Sequence, residues 1–78
     1  MKKGLKEEVL NLLKERYGIT AEESDLLKND LSMDSLDRVE FAIRLEQKFN
    51  IHISDEEADR FAGMSVGDVI NLVDSKLF

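Results

Sequence analysis

Apolar residues along the chain recur mostly at helical spacing. Leu5, Val9, Leu12 and Leu13 follow i, i+4, i+7, i+8, the pattern of one helix face, with Lys6, Glu7, Glu8, Lys14, Glu15 and Arg16 on the others. The spacing predicts a helix from about Lys3 to Tyr17, stopped by Gly18 as a residue just past the C-terminus. Ile19 to Met33 reads as a long connection in which Leu26, Leu27 and Leu31 pin polar surroundings to the core. Thr20-Ala21-Glu22-Glu23 has capping-box spacing and predicts a brief helical turn there. A loop this long in so small a protein is usually functional or packed by its own side chains.

The next helix is predicted from about Asp34 to Phe49, with Leu36, Val39, Ala42, Ile43, Leu45 and Phe49 on a broad apolar face that Phe41 widens. That stripe exceeds what one flank of a small bundle needs, so it should leave apolar surface for something else. Asn50 to Ile53 alternates like a strand, but no second strand exists to pair with it, and it reads as an extended connector. Ser54 to Glu57 is a capping box that should start a short helix ending near Phe61, before a turn at Ala62-Gly63-Met64. Ser65 to Asp68 caps a last helix, from about Ser65 to Leu77, with Val66, Val69, Ile70, Val73 and Leu77 inward. The expected fold is all-α: a small antiparallel four-helix bundle in one domain, residues 1–78.

Composition narrows the chemistry. None of the 78 residues is cysteine, and His52 is the one histidine, so disulfides, thiolate metal sites and a self-sufficient histidine site are excluded. No apolar run approaches the roughly 20 residues of a membrane span. The Met1-Lys2-Lys3 start has no apolar stretch behind it and does not read as a signal peptide, so a cytoplasmic protein is expected.

The net charge of −6 is localised. Between Asp30 and Asp59 stand nine acids and three bases (Arg38, Arg44, Lys48), which accounts for all six net charges, and the remainder holds eight of each. Such a surface argues against nucleic acid, which needs a basic patch, and favours a partner with a basic one.

Ser35 is the candidate for chemistry. Asp34 reads as the N-cap of its helix, which puts Ser35 in the first turn, at the end that tolerates a phosphate. As a nucleophile of its own Ser35 lacks a base: His52 lies beyond the far end of the helix, and at about 1.5 Å per residue the two are over roughly 20 Å apart. Asp30-x-Ser32-x-Asp34 fails as a calcium loop, because Ser35 stands where glycine is required and Phe41 where a bidentate glutamate is. The residues alone leave open an anchoring serine or a plain acidic interaction module with Ser35 unmodified.

Asp34-Ser35-Leu36-Asp37, continuing as Arg38-Val39-Glu40-Phe41, resembles the modification motif of the acyl carrier proteins. Leu45 to Phe49, Ile53 to Ala58 and Val66-Gly67-Asp68 resemble later segments of that family, in the right order over nearly the whole chain. The resemblance implies that a phosphopantetheinyl transferase attaches 4′-phosphopantetheine from coenzyme A to Ser35, between Asp34 and Leu36. The arm's thiol then carries acyl groups as thioesters for fatty acid or related lipid or polyketide synthesis, an aminoacyl cargo being the alternative. It implies a carrier rather than an enzyme, a monomer, and docking of acyl-handling enzymes with basic patches on Asp37, Glu40, Glu46, Glu56 and Glu57. It implies an acyl pocket near Phe41, Ile43, Leu45, Ile53, Ala58 and Phe61, with Phe41 and Phe61 reshaping it where smaller aliphatics are common. The chain departs from the family at Arg38, Arg44, Gln47 and Lys48, at Ser32-Met33 before the motif, at Ser54, and in a longer turn at Ala62 to Ser65.

Overall fold

The computed structural model describes residues 2–78, with side chains from Gly4 onward, so the Met1–Lys3 start lies outside what is described apart from the backbone of Lys2 and Lys3. Four helices follow one another: α1 (Lys2–Tyr17), α2 (Ser35–Phe49), α3 (Asp55–Arg60) and α4 (Val66–Leu77), with a 3-10 turn at Phe61–Gly63. The predicted helices are all present. Gly18 takes the left-handed conformation (φ 66°) that ends α1, and the amides of Gly18 and Ile19 bond back to Lys14 and Leu13. Both serine capping boxes form, Ser54 with Glu57 and Ser65 with Asp68. The turn expected at Ala62–Met64 is the end of the 3-10 turn.

The core joins all four segments of apolar spacing. Leu5, Val9, Leu12 and Leu13 of α1 meet Val66, Val69, Ile70 and Val73 of α4, with Phe41, Ala42 and Leu45 of α2 and Phe61 beside them. Glu8 beside Lys48 (3.8 Å) and the edge of Tyr17 against Phe41 (6.2 Å between rings) make α1 and α2 antiparallel. Helix α3 contributes no buried residue of its own, and Ala58 is its half-buried contact with the core.

The long connection differs from expectation in one place. Thr20 starts no helical turn. Instead the Asp25 carboxylate accepts from the amide of Glu22 at 2.9 Å, closing a turn over Glu22–Asp25. Asp25 thereby takes the amide that a helix would have used. A second turn, Leu26 to Asp30, is closed in the same way by Asp30. Leu27 is fully buried, as a pin should be, and Leu31 packs on the core half-buried.

The connection is strapped to the start of α4. The first amides of a helix have no acceptor within it. Here those of Val66 and Gly67 donate to the carbonyls of Asp25 (2.9 Å) and Glu23 (2.8 Å), and that of Leu27 donates to Met64 (3.1 Å). The approach is close enough that a Cβ on Gly67 would sit 3.2 Å from the Glu23 carbonyl oxygen.

Candidate functional site

The strap carries the chain to the start of α2. Met33 is buried, and its amide donates to the Leu27 carbonyl at 3.0 Å. Asp34 is extended, and its carboxylate accepts from the amide of Asp37 at 2.8 Å, so it is the N-cap expected. Such a cap stabilises a helix by about 1 kcal/mol. Ser35 is then the first helical residue, exposed, with the positive end of the helix dipole behind it.

Around Ser35 the surface is apolar as well as acidic. Leu36 (78% exposed), Val39 (48%) and Ile43 (46%) stand at i, i+3, i+7 and form one line along the outward side of α2. They are the part of the broad apolar face that the core leaves uncovered, as its width implied. The burial is done instead by Phe41, Ala42 and Leu45 on the opposite side, with Phe49 half-buried. The stripe was too wide for the core because it is two stripes. Val39 was not singled out from the sequence as a site residue, although its spacing from Leu36 and Ile43 was the available signal.

The five acids expected to dock partners fall into two groups. Glu40 is half-exposed and lies 3.7 Å from Arg44, one turn on, while Asp37 and Glu56 enter none of the ion pairs among the described residues. Glu46 is engaged: it accepts from the amide of Ile53 at 2.9 Å and meets His52 at 3.3 Å, tying α2 to the connector that follows. Glu57 is engaged too. It accepts from the amide of Ser54 at 2.9 Å and pairs with Lys76 of α4 at 3.0 Å. Those two contacts, the first foremost, hold its carboxyl below the ordinary value.

The three bases within the acidic stretch have partners inside the protein. Arg44 meets Glu40, Lys48 meets Glu8 of α1, and Arg38 donates to the Met33 carbonyl at 2.7 Å. Arg44 and Lys48 also line, with Leu12, Glu15, Arg16 and Gln47, an open groove between α1 and α2, away from Ser35.

The residues expected to shelter cargo are only partly brought together. Phe41, Leu45, Ile53 and Phe61 are buried in the core, and Ala58 packs on them. The rings of Phe41 and Phe61 stand 6.1 Å apart, edge to face, between α2 and the segment after α3. Ile43 is not with them, because it lies on the outward line. Tyr17 completes a row of three rings, and its buried hydroxyl has no hydrogen-bond partner. Burial first, then the charge of Glu40, pushes the phenol up to about 12.

His52 is exposed at the far end of α2, where only Glu46 is within reach, so it cannot serve as a base for Ser35. Among the described residues no cluster of acids and histidine could hold a metal ion, and no helix is long and apolar enough to cross a membrane.

Known proteins agree with this geometry. Residues 7–73 match the family described as phosphopantetheine attachment site. An acyl carrier protein of Wolinella succinogenes is 44% identical over 71 residues, which is 91% of this chain and 90% of that protein. The crystal structure of an acyl carrier protein from Thermotoga maritima superposes with a TM-score of 0.80 at 29% identity, covering 97% of this chain and 89% of that one. The chain belongs to the acyl carrier proteins, carriers rather than enzymes, whose attachment domain bears a covalent 4′-phosphopantetheine.

Proposed function

We propose that Ser35 is the residue that bears the arm, in a single monomeric carrier domain of the cytoplasm. The observation that carries this is an exposed serine on the first turn of a capped helix, with Leu36, Val39 and Ile43 standing in solvent beside it. A phosphodiester on Ser35 fits this place. The helix dipole and the first-turn amides favour its charge, and opposition from Asp34 and Asp37 is weakened by solvent. In the transfer, Ser35 Oγ forms a bond to the phosphorus that carries pantetheine in coenzyme A. The P–O bond to the adenosine bisphosphate breaks, that group leaves, and the hydroxyl proton passes to a base of the transferase. Once attached, the arm supplies the thiol that this cysteine-free chain lacks.

Phosphopantetheinyl transferases and acyl-handling enzymes then meet the outward side of α2. Leu36, Val39 and Ile43 give the contact area, and Asp37, Glu40 and Glu56 steer a basic partner. Glu46 and Glu57 add charge to that field while holding the fold together. Acyl cargo of fatty acid or related lipid or polyketide synthesis is sheltered near Phe41, Leu45, Ile53, Ala58 and Phe61.

Intact-mass measurement after incubation with coenzyme A and a broad-specificity transferase tests the site. Wild type should gain one phosphopantetheine and Ser35→Ala none. No gain on wild type, or an equal gain on Ser35→Ala, defeats the assignment.

A further inference from the structure

Arg38 stands at i, i+3, i+7 with Phe41 and Leu45, on the inward side of α2, where a charged residue is least expected. Its backbone amide donates to the Asp34 carbonyl at 3.0 Å, the first hydrogen bond of the helix. Its guanidinium turns back and donates to the Met33 carbonyl at 2.7 Å, a short, half-buried, charge-assisted bond. The peptide so held follows Ser32, whose φ of 58° lies in the left-handed region that a residue with a Cβ adopts at a cost. Something must keep that corner in place, and the Met33 side chain and amide hold only its inner edge. Arg38 adds a second hold on the same residue, at the Met33 carbonyl.

We propose that Arg38 is a positioning residue, which clamps the Ser32–Asp34 corner through the Met33 carbonyl and so fixes how Ser35 is presented to the transferase. This rests on Ser35 being the modified residue. Without the clamp the Met33–Asp34 peptide rotates away from the conformation that Ser32 resists, and Ser35 Oγ samples orientations from which it cannot reach phosphorus in line. The cation of Arg38 acts inward on the fold. A docking role for its charge has the opposite sign, because neutralising a cation on a surface read by basic partners tightens docking.

The test follows modification by intact mass, with kcat and KM of the transferase, on wild type, Arg38→Met, Arg38→Lys, Ser32→Gly/Arg38→Met and Lys48→Met. Amide hydrogen exchange is measured on the same unmodified proteins. Arg38→Met should lower kcat about tenfold, the order expected for losing one charge-assisted bond, with KM changed less than about twofold. The hydrogen-bonded amides of the corner, those of Met33, Asp37 and Arg38, should exchange faster, while those of Phe41 to Leu45 stay protected, which also shows that the variant is folded. Arg38→Lys should fall between. Ser32→Gly should restore most of the rate to Arg38→Met by removing the penalty at the corner. Lys48→Met, which removes a charge from the same helix, should be modified as fast as wild type or faster.

Two results overturn the proposal: Arg38→Met modified as fast as wild type, or slowed with exchange at these amides unchanged. If wild type itself gains no mass, the Ser35 reading fails instead, and the exchange data still decide whether Arg38 clamps the corner.

Discussion

In α4, Val66, Val69, Ile70 and Val73 stand at i, i+3, i+4, i+7, and all four are buried. In α2, Leu36, Val39 and Ile43 stand at i, i+3, i+7, and all three face solvent. The spacing says which side chains share a face. It does not say what lies opposite that face. For α4 the opposite element is α1, whose own stripe matches it. For α2 the core is already met by Phe41, Ala42 and Leu45, so the second line has nothing inside the protein to cover it. An apolar line with no internal partner, next to an exposed serine at a phosphate-tolerant helix end, is what a carrier read by other proteins requires.

The sharpest way to break this comparison is to truncate one member of each line. Ile70→Ala should cost about 3 kcal/mol, from lost transfer and a residual cavity, a large share of the stability of so small a protein. Its urea midpoint should fall steeply. Leu36→Ala should leave the midpoint almost unchanged, within about 0.5 kcal/mol, yet raise the transferase KM severalfold. A stability loss at Leu36 as large as that at Ile70 would mean that the outward line is core after all.

A smaller effect separates the engaged acids from the free ones. The folded Glu57 carboxyl lies below its ordinary value of 4.5, so the unfolded chain binds its proton first as pH falls. Its contribution to stability is therefore present above about that value and lost as pH drops through the lower folded one. Glu57→Gln should flatten the acid limb of a stability–pH curve, whereas Glu56→Gln, which breaks neither a cap nor an ion pair, should cost no stability at neutral pH.

The smallest effect lies in the row of rings. Tyr17 keeps its proton up to about 12, so folding is favoured fully below the unfolded phenol value near 10 and loses that contribution between the two. Ultraviolet titration should show the phenolate appearing only near the upper value. Tyr17→Phe removes a buried hydroxyl that has no partner, and should leave stability equal or higher by up to about 1 kcal/mol.

Much of the fold was legible because its signals are local. Gly18, Asp34, Ser54 and Ser65 each act within a few residues, and all four end or start helices where expected. Thr20 misled because its capping-box spacing competes with Asp25, whose carboxylate takes the Glu22 amide. Leu77, expected inward, is 39% exposed at the end of α4, where periodicity continues past the neighbouring helices. The candidate site was legible at Ser35 and Asp34, again by local capping logic. The separate uses of Glu40 and Glu46 were not. Both are acids on one helix, and the difference lies in the connector amide of Ile53 that Glu46 reaches. Lys48 and Arg38 had no visible role for the same reason, since Glu8 and the Met33 carbonyl become their neighbours only in three dimensions, whereas the Glu40–Arg44 pair lies one turn apart on a single helix.

The strap between the long connection and α4 bears on the order of folding. About half the chain separates Asp25 from Val66, and Glu23 from Gly67, so these bonds close a long loop. Closing such a loop costs entropy that only long-range contacts return, which places it late. In refolding followed by amide exchange, the connection that leads to Ser35 should therefore gain protection in the same late step as the first turn of α4, a register shared by two regions far apart in the chain.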